Sequence, residues 1–144
     1  MLHDDPTWGG GTTEYALDAI RAARRGHPYV CPVPLDTQLP MIDRRDLVHG
    51  LVALADAPAS AIAEPTGGYA LAGYSFSARQ LFAELEALFP GFTYTVQVDA
   101  VAGHFAQLWC DSLSAKEATR DLHFTAQYSL HDTLAHIMAA ELDD

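Results

Sequence analysis

Apolar positions along the chain recur at two periods, and the switches between those periods mark out the elements. Tyr15, Ala16, Ala19, Ile20 and Ala23 fall at helical spacing behind Thr12-Thr13-Glu14. Arg24-Arg25 suit the C-terminal end of that helix, and Gly26 can stop it. Residues 29–33, Tyr-Val-Cys-Pro-Val, read as a short strand, with Pro32 arguing for an edge or an early exit. Leu39-Pro40-Met41-Ile42 is a second extended piece. Asp43 or Asp46 can cap the next helix, where Leu47, Val48, Leu51, Val52, Leu54 and Ala55 supply the apolar stripe. Pro58 ends that helix, and residues 59–68 form a loop.

The second half continues in the same way. Residues 69–73 read as a strand. Ser77 and Gln80 form a capping-box pattern ahead of Leu81, Phe82, Leu85 and Leu88, and Pro90-Gly91 stops the helix. Residues 92–98 give the clearest strand, β-branched and aromatic with period-two alternation. Residues 101–109 read as helical despite Gly103. Ser114 can cap a short helix ending near Leu122, and Ser129 a last one with the stripe Leu130, Leu134, Ile137, Met138 and Leu142. The alternation predicts an α/β fold. The strands are short and few, so they look like an appendage to a larger sheet. Residues 1–144 are expected to form a single domain.

Composition narrows the class. A 49% hydrophobic fraction over 144 residues fits a globular chain. No apolar run approaches the roughly 18 residues of a membrane span. The N-terminus lacks the basic and apolar regions of a secretory signal, so a cytoplasmic setting is expected and a membrane partner is not. The net charge of −11 would repel a phosphate backbone, which argues against nucleic acid as a partner. Cys31 and Cys110 make no disulfide framework and no CxxC motif, and read as ordinary, buried thiols.

The strongest local chemistry is Gly9-Gly10-Gly11-Thr12-Thr13 before a helix. Glycines let the backbone approach a ligand closely. The helix start offers free N–H groups and a partial positive charge to an anion. Thr12 and Thr13 add hydroxyls. A flexible glycine linker into a capped helix is the plain alternative. Absences weigh as much. Lys116 is the only lysine, and Ser112 stands where a Tyr-x-x-x-Lys pair would need its tyrosine. No Gly-x-Gly-x-x-Gly follows a strand, so a dinucleotide has no recognisable seat. The histidines show no metal-ligand spacing; His131 and His136 are five apart, on different faces of a helix. Trp109 reads first as a core residue.

Taken together, these motifs resemble the short-chain-type L-threonine 3-dehydrogenases of the extended short-chain dehydrogenase and epimerase superfamily. Gly9-Gly10-Gly11-Thr12-Thr13-Glu14-Tyr15-Ala16 resembles the family's Gly-Gly-Gly-Thr-Thr-Asp-Tyr-Ala. Thr37-x-Leu39-Pro40-Met41 resembles Thr-Arg-Leu-Pro-Met, Asp46 the aspartate that opens the next helix, and Ala57-Pro58 the pair that ends it. Leu71-Ala72-Gly73-x-Ser75-Phe76 resembles Leu-Ala-Gly-Met-Ser-Phe, and Trp109 falls where the family has the tryptophan of Ala-Asp-Ser-Trp-Pro. The resemblance runs from about Pro6 to the last helix. Glu14 replaces Asp, Asp43 stands at a usual Tyr, Cys110 at a Pro, Ser114-Ala115-Lys116 at Asp-Asp-Ser, and Asp121-Leu122-His123-Phe124 at Asp-Trp-Gly-Trp.

The resemblance implies the C-terminal, substrate-side part of such an enzyme, lacking the N-terminal nucleotide-binding core. It implies NAD-dependent oxidation of L-threonine to 2-amino-3-ketobutyrate, with NAD and the Tyr/Lys pair belonging to sequence that precedes the glycine loop. Gly11, Thr12 and Thr13 would line the pocket for a small amino acid, and Trp109 would close it. No metal is implied. Expected partners are that substrate, the nucleotide-binding half in trans, and a second copy in a homo-oligomer. The face meant for the absent sheet should be apolar and exposed. Two other readings remain open: a fragment of a nucleotide-sugar epimerase or dehydratase, and a non-catalytic interaction module derived from the fold. Sugar-nucleotide members typically carry an Arg-bearing strand where this chain has Leu39-Pro40-Met41. Because the chain has no Tyr-x-x-x-Lys, the purified 144-residue protein with L-threonine and NAD should form no NADH, read by absorbance; measurable turnover would overturn this reading.

Overall fold

The computed structural model describes residues 12–62 and 67–139. A 3-10 turn, Thr12–Glu14, runs into helix α1, Tyr15–Arg24. Strands β1 (Tyr29–Cys31) and β2 (Gln38–Met41) follow, then helix α2 (Arg44–Asp56). A second 3-10 turn, Ala59–Ala61, precedes strand β3 (Tyr74–Ser77) and helix α3 (Ala78–Leu88). Strand β4 (Tyr94–Val96) and helices α4 (Ala100–Ala106), α5 (Lys116–Leu122) and α6 (Leu130–Ala139) complete the order.

β1 pairs in parallel with β4, Val30 opposite Thr95. β2 pairs antiparallel with β3, Leu39 opposite Phe76. The main core packs α1, α3 and α6 against these ribbons. Ile20, Cys31, Phe76, Leu81, Phe82, Leu85 and Leu134 are all buried in it. Burying each of the larger apolar side chains contributes about 1.5–3 kcal/mol. A smaller cluster of Ile42, Ala118, Leu122 and Phe124 joins α2 to α5.

Local chemistry explains most boundaries. The α3 capping box forms: the Ser77 Oγ accepts from the Gln80 N–H, and the Gln80 Oε1 accepts from the Ser77 N–H. Asp43, not Asp46, caps α2. Asp46 instead sits buried in the first turn and accepts the N–H groups of Gln127 (3.0 and 3.1 Å) and Tyr128 (3.1 Å). That carboxylate ties two segments eighty residues apart in sequence. The Arg45 guanidinium lies 3.6 Å over the Tyr128 ring and donates twice to Asp43. At α6, the Ser129 Oγ accepts from the Asp132 N–H, and Asp132 accepts from the Ser129 N–H.

Several expectations need correction. The strand expected at 69–73 lies further on, at Tyr74–Ser77. β2 ends at Met41, opposite Tyr74, so no partner is left for the residues before it; Gly73 itself passes so close that a Cβ there would meet the Met41 carbonyl oxygen at 2.6 Å. The strand expected at 92–98 shrinks to Tyr94–Val96, because β1, its partner among the described residues, ends at Cys31. Only part of the α2 stripe turns inward. Of the expected stripe only Leu47 packs on the smaller cluster, joined by Ala53 from outside it, whereas Val48, Leu51 and Val52 are each more than half exposed. Gly50 occupies the buried side, where a Cβ would meet Leu71 at 2.6 Å. Ala115, not Ser114, is the N-cap of α5, and Ser114 reaches the Lys116 N–H only at 3.4 Å. Cys110 is exposed rather than buried. Gly103 belongs in α4 because a Cβ would meet Val98 at 2.7 Å. Leu142 of the last stripe lies outside the described residues.

His123 closes α5 at φ 53°, the left-handed conformation that favours glycine. It stands where the related Asp-Trp-Gly-Trp pattern has its glycine. His123→Gly should therefore stabilise the fold by up to about 1 kcal/mol, read by chemical denaturation. Asp43 gives a pH prediction. Burial pushes its carboxyl up, but the hydrogen bonds from Arg45 outweigh that and hold it down at about 2, against an ordinary 3.8. A depressed folded value stabilises above the unfolded one and is lost as pH falls. About 2 kcal/mol at most should thus disappear between about pH 4 and pH 2. Asp43→Asn should flatten that acid limb in pH-dependent denaturation.

Candidate functional site

The parallel pair sets the site's address. In parallel sheets, ligands gather at the carboxyl ends of the strands. α1 connects to β1 through residues 25–28 only, so it runs back along the strand and its start lies at the carboxyl end of β1. Three residues separate β4 from α4, which begins at the carboxyl end of the neighbouring strand. The two therefore meet, and α4 packs against the Thr12–Glu14 turn.

Gly11 lies outside the described residues. Thr12 opens the 3-10 turn, and Thr13 follows it half-buried. Trp109, also half-buried, follows α4 and stacks on the ring of Tyr15, with centroids 6.2 Å apart and planes 6° from parallel. Thr13 and Trp109, 96 positions apart in sequence, thus share one neighbourhood through Tyr15.

Tyr15 was read from sequence only as part of a helical stripe. Its ring is buried, and its hydroxyl has no hydrogen-bond partner among the described residues. Its main-chain carbonyl accepts the Tyr29 hydroxyl at 2.8 Å. Burial and then the neighbouring Cys31 push the Tyr15 hydroxyl well above its ordinary range. Burial likewise raises the Cys31 thiol, which donates to the Val33 carbonyl at 3.2 Å. At neutral pH both stay protonated. These two groups therefore supply neither a nucleophile nor a base.

A dinucleotide does not fit the strand-to-helix turns described. Such a cofactor needs free N–H groups and bare glycines at a helix start. The α2 start is occupied by the Asp43 carboxylate, and α3 by its capping box. At α4 the Asp99 carboxylate accepts from Val101 and Ala102, both at 2.9 Å, and would repel a pyrophosphate. The α1 start differs, with no side-chain cap from Glu14. Among the described residues, no group of three or more His, Cys, Asp or Glu side chains is placed to hold a metal. No described helix is long and apolar enough to cross a membrane. A cavity of about 150 Å³ lies elsewhere, between the β2 and β3 ends and Leu113, and its lining includes neither Thr13, Tyr15 nor Trp109.

No family model matches the sequence. The fold is that of the C-terminal part of the extended short-chain dehydrogenases. Within that class, the structural neighbours are L-threonine 3-dehydrogenases. A partial consensus L-threonine 3-dehydrogenase matches at 37% identity and a TM-score of 0.87, over 96% of this chain and 44% of that one. The GalE-like L-threonine dehydrogenase of Cupriavidus necator in its apo form matches at 37% identity and 0.85, over 92% and 47%. The L-threonine 3-dehydrogenase of Trypanosoma brucei matches at 28% identity and 0.80, over 90% and 40%. Among curated sequences, an uncharacterized epimerase/dehydratase of Staphylococcus haemolyticus is 30% identical over 122 residues, which is 85% of this chain and 38% of that protein. The chain thus spans less than half the length of the relatives it matches.

The stack gives a prediction. Trp109→Ala removes an aromatic pair worth about 0.5–1.5 kcal/mol beyond area burial, and should destabilise the fold by about 1–3 kcal/mol in thermal or urea denaturation. Wild-type stability in this variant would mean that Trp109 does not rest on Tyr15 in solution.

Proposed function

We propose that this chain is the substrate-binding side of an NAD-dependent L-threonine 3-dehydrogenase. One observation carries the reading. The Thr12–Glu14 turn and Trp109, matched separately to that family in sequence, lie beside the same buried tyrosine at the carboxyl ends of a parallel strand pair. The 37% identity to L-threonine dehydrogenases over more than nine-tenths of the chain supports the choice of substrate. In this reading the α1 start takes the amino acid's carboxylate, Thr13 adds a hydroxyl, and Trp109 covers the ligand.

NAD and the proton-transferring pair belong to a nucleotide-binding half that these residues do not supply: the starts of α2, α3 and α4 are capped by the protein's own groups, and the sequence has no Tyr-x-x-x-Lys. NAD provides the hydride acceptor when bound by that half. The half would also cover apolar surface. Val48, Leu51 and Val52 on α2 and Val30 on β1 are each more than half exposed. A two-stranded parallel ribbon is ordinarily only a piece of a larger buried sheet. The reading places the protein in the cytoplasm. The nucleotide-sugar alternative lacks its phosphate-binding arginine on β2, which reads Gln38-Leu39-Pro40-Met41.

A chimera tests the reading. The part of the Cupriavidus necator enzyme that this chain does not match would be fused ahead of it. The expected result is NADH formation with L-threonine and none with a nucleotide sugar, and Thr13→Val should reduce it. A folded chimera that turns over UDP-glucose but not L-threonine would overturn the proposal.

A further inference from the structure

The outward side of α2 is an apolar surface that this chain's own folding does not use. Val48, Leu51 and Val52 are each more than half exposed, and Ala55 is exposed as well. These positions follow the spacing i, i+3, i+4, i+7, so they form one stripe about 100° wide along a single side of the helix. A surface helix ordinarily turns charged residues outward. Residues 47–55 contain no Asp, Glu, Lys or Arg, in a chain that is 19% charged. Gly50 lies on the opposite side, crowded by Leu71 and Phe124, so the stripe faces away from the core.

The charges that bound the stripe indicate what covers it. Arg44 is the first residue of α2 and Asp56 the last. Both are exposed, and among the described residues neither has an ion-pair partner. A helix carries partial positive charge at its start and partial negative charge at its end. An arginine at the start and an aspartate at the end therefore both oppose the dipole of α2 itself. An antiparallel helix laid on the stripe reverses this, because its end lies against the α2 start and its start against the α2 end. A second copy of α2 is such a helix. Centred on Leu51 and Val52, the antiparallel pair sets Arg44 and the partner's Asp56 about 4.5 Å apart along the axis, within an arginine's reach. A two-fold interface requires this self-complementarity, since each contact occurs twice. Arg45 takes no part, being held by Asp43 and the Tyr128 ring.

We propose that the 144-residue chain pairs with a second copy of itself through α2, antiparallel about a two-fold axis near Leu51 and Val52, with Arg44 of each copy facing the partner's Asp56. The stripe is one helix long, short of the roughly 1,200 Å² that a stable complex buries in total, so the pair is weak. The nucleotide-binding half would claim the same face. The pair is thus a property of the 144-residue chain by itself, and its failure leaves the proposed function standing.

Sedimentation equilibrium of the 144-residue protein tests this, from about 1 µM to 1 mM, the range of weak complexes. The apparent mass should rise with concentration from that of one chain toward that of two. Leu51→Asp, at an exposed position, should keep the wild-type circular dichroism and stay monomeric throughout. Arg44→Glu and Asp56→Arg should each weaken pairing about three- to tenfold at low salt, because every substitution counts twice across the axis. The double variant Arg44→Glu with Asp56→Arg should restore pairing, which a merely apolar association would not do. Neither single change should lower the thermal stability of the monomer, since each suits the helix dipole better than the native residue. A wild type that stays monomeric to the top of the range, a Leu51→Asp protein that still pairs, or a double variant that pairs no better than the singles overturns the inference.

Discussion

The parallel pairing of β1 with β4 is the constraint on which the rest of the structure depends. Parallel strands cannot be joined by a tight turn and need a crossover. Everything between them, the β2–β3 ribbon with α2 and α3, is that crossover. α3 returns the chain to the pair and buries Leu81, Phe82 and Leu85 beneath it. Because the strands point the same way, the helix that enters β1 and the helix that leaves β4 meet at one end. The neighbourhood of Thr13, Tyr15 and Trp109 is a consequence of strand direction.

Electrostatics then separates that end from the others. The crossover's helix starts are filled by the protein's own groups: Asp43 on α2, the Ser77–Gln80 box on α3, and Asp99 on α4. Those caps stabilise their helices and leave nothing for an external anion. Asp46 extends the same use of carboxylates, spending its oxygens on the backbone of Gln127 and Tyr128. With 19 acids against 8 bases, the chain satisfies many of its backbone donors with aspartate. The N-cap positions of α1 (Glu14) and α5 (Ala115) make no side-chain cap bond, and ahead of α1 the sequence has glycine and threonine.

The distribution of apolar surface fits a protein whose core is shared. The main cluster is well buried, yet large apolar side chains on β1, α2 and α4 face outward. On α2 the arrangement is inverted relative to an ordinary surface helix: Gly50 faces the protein while Val48, Leu51 and Val52 face away. Such a face gains nothing from this chain's own folding.

Sequence by itself determined what depends on neighbours within a turn or two. The α1 stripe, the Ser77–Gln80 and Ser129 caps, the stop at Gly26 and the α/β class were legible because helix periodicity and capping are local. The glycine-threonine start was legible as a motif, and so was the lack of a Tyr-x-x-x-Lys pair. Tertiary structure decided the rest. Which face of α2 turns inward depends on Leu71 and Phe124 crowding Gly50. Whether 69–73 or 74–77 pairs depends on the reach of β2, which ends at Met41 opposite Tyr74. Whether Asp43 or Asp46 caps α2 depends on where Gln127 and Tyr128 arrive. Tyr15 could not be told from an ordinary core tyrosine, because a hydroxyl is orphaned only by the absence of partners, and partners are distant in sequence. Trp109 acquired its place in the same way, since only the parallel direction of two three-residue strands brings it beside the start of α1.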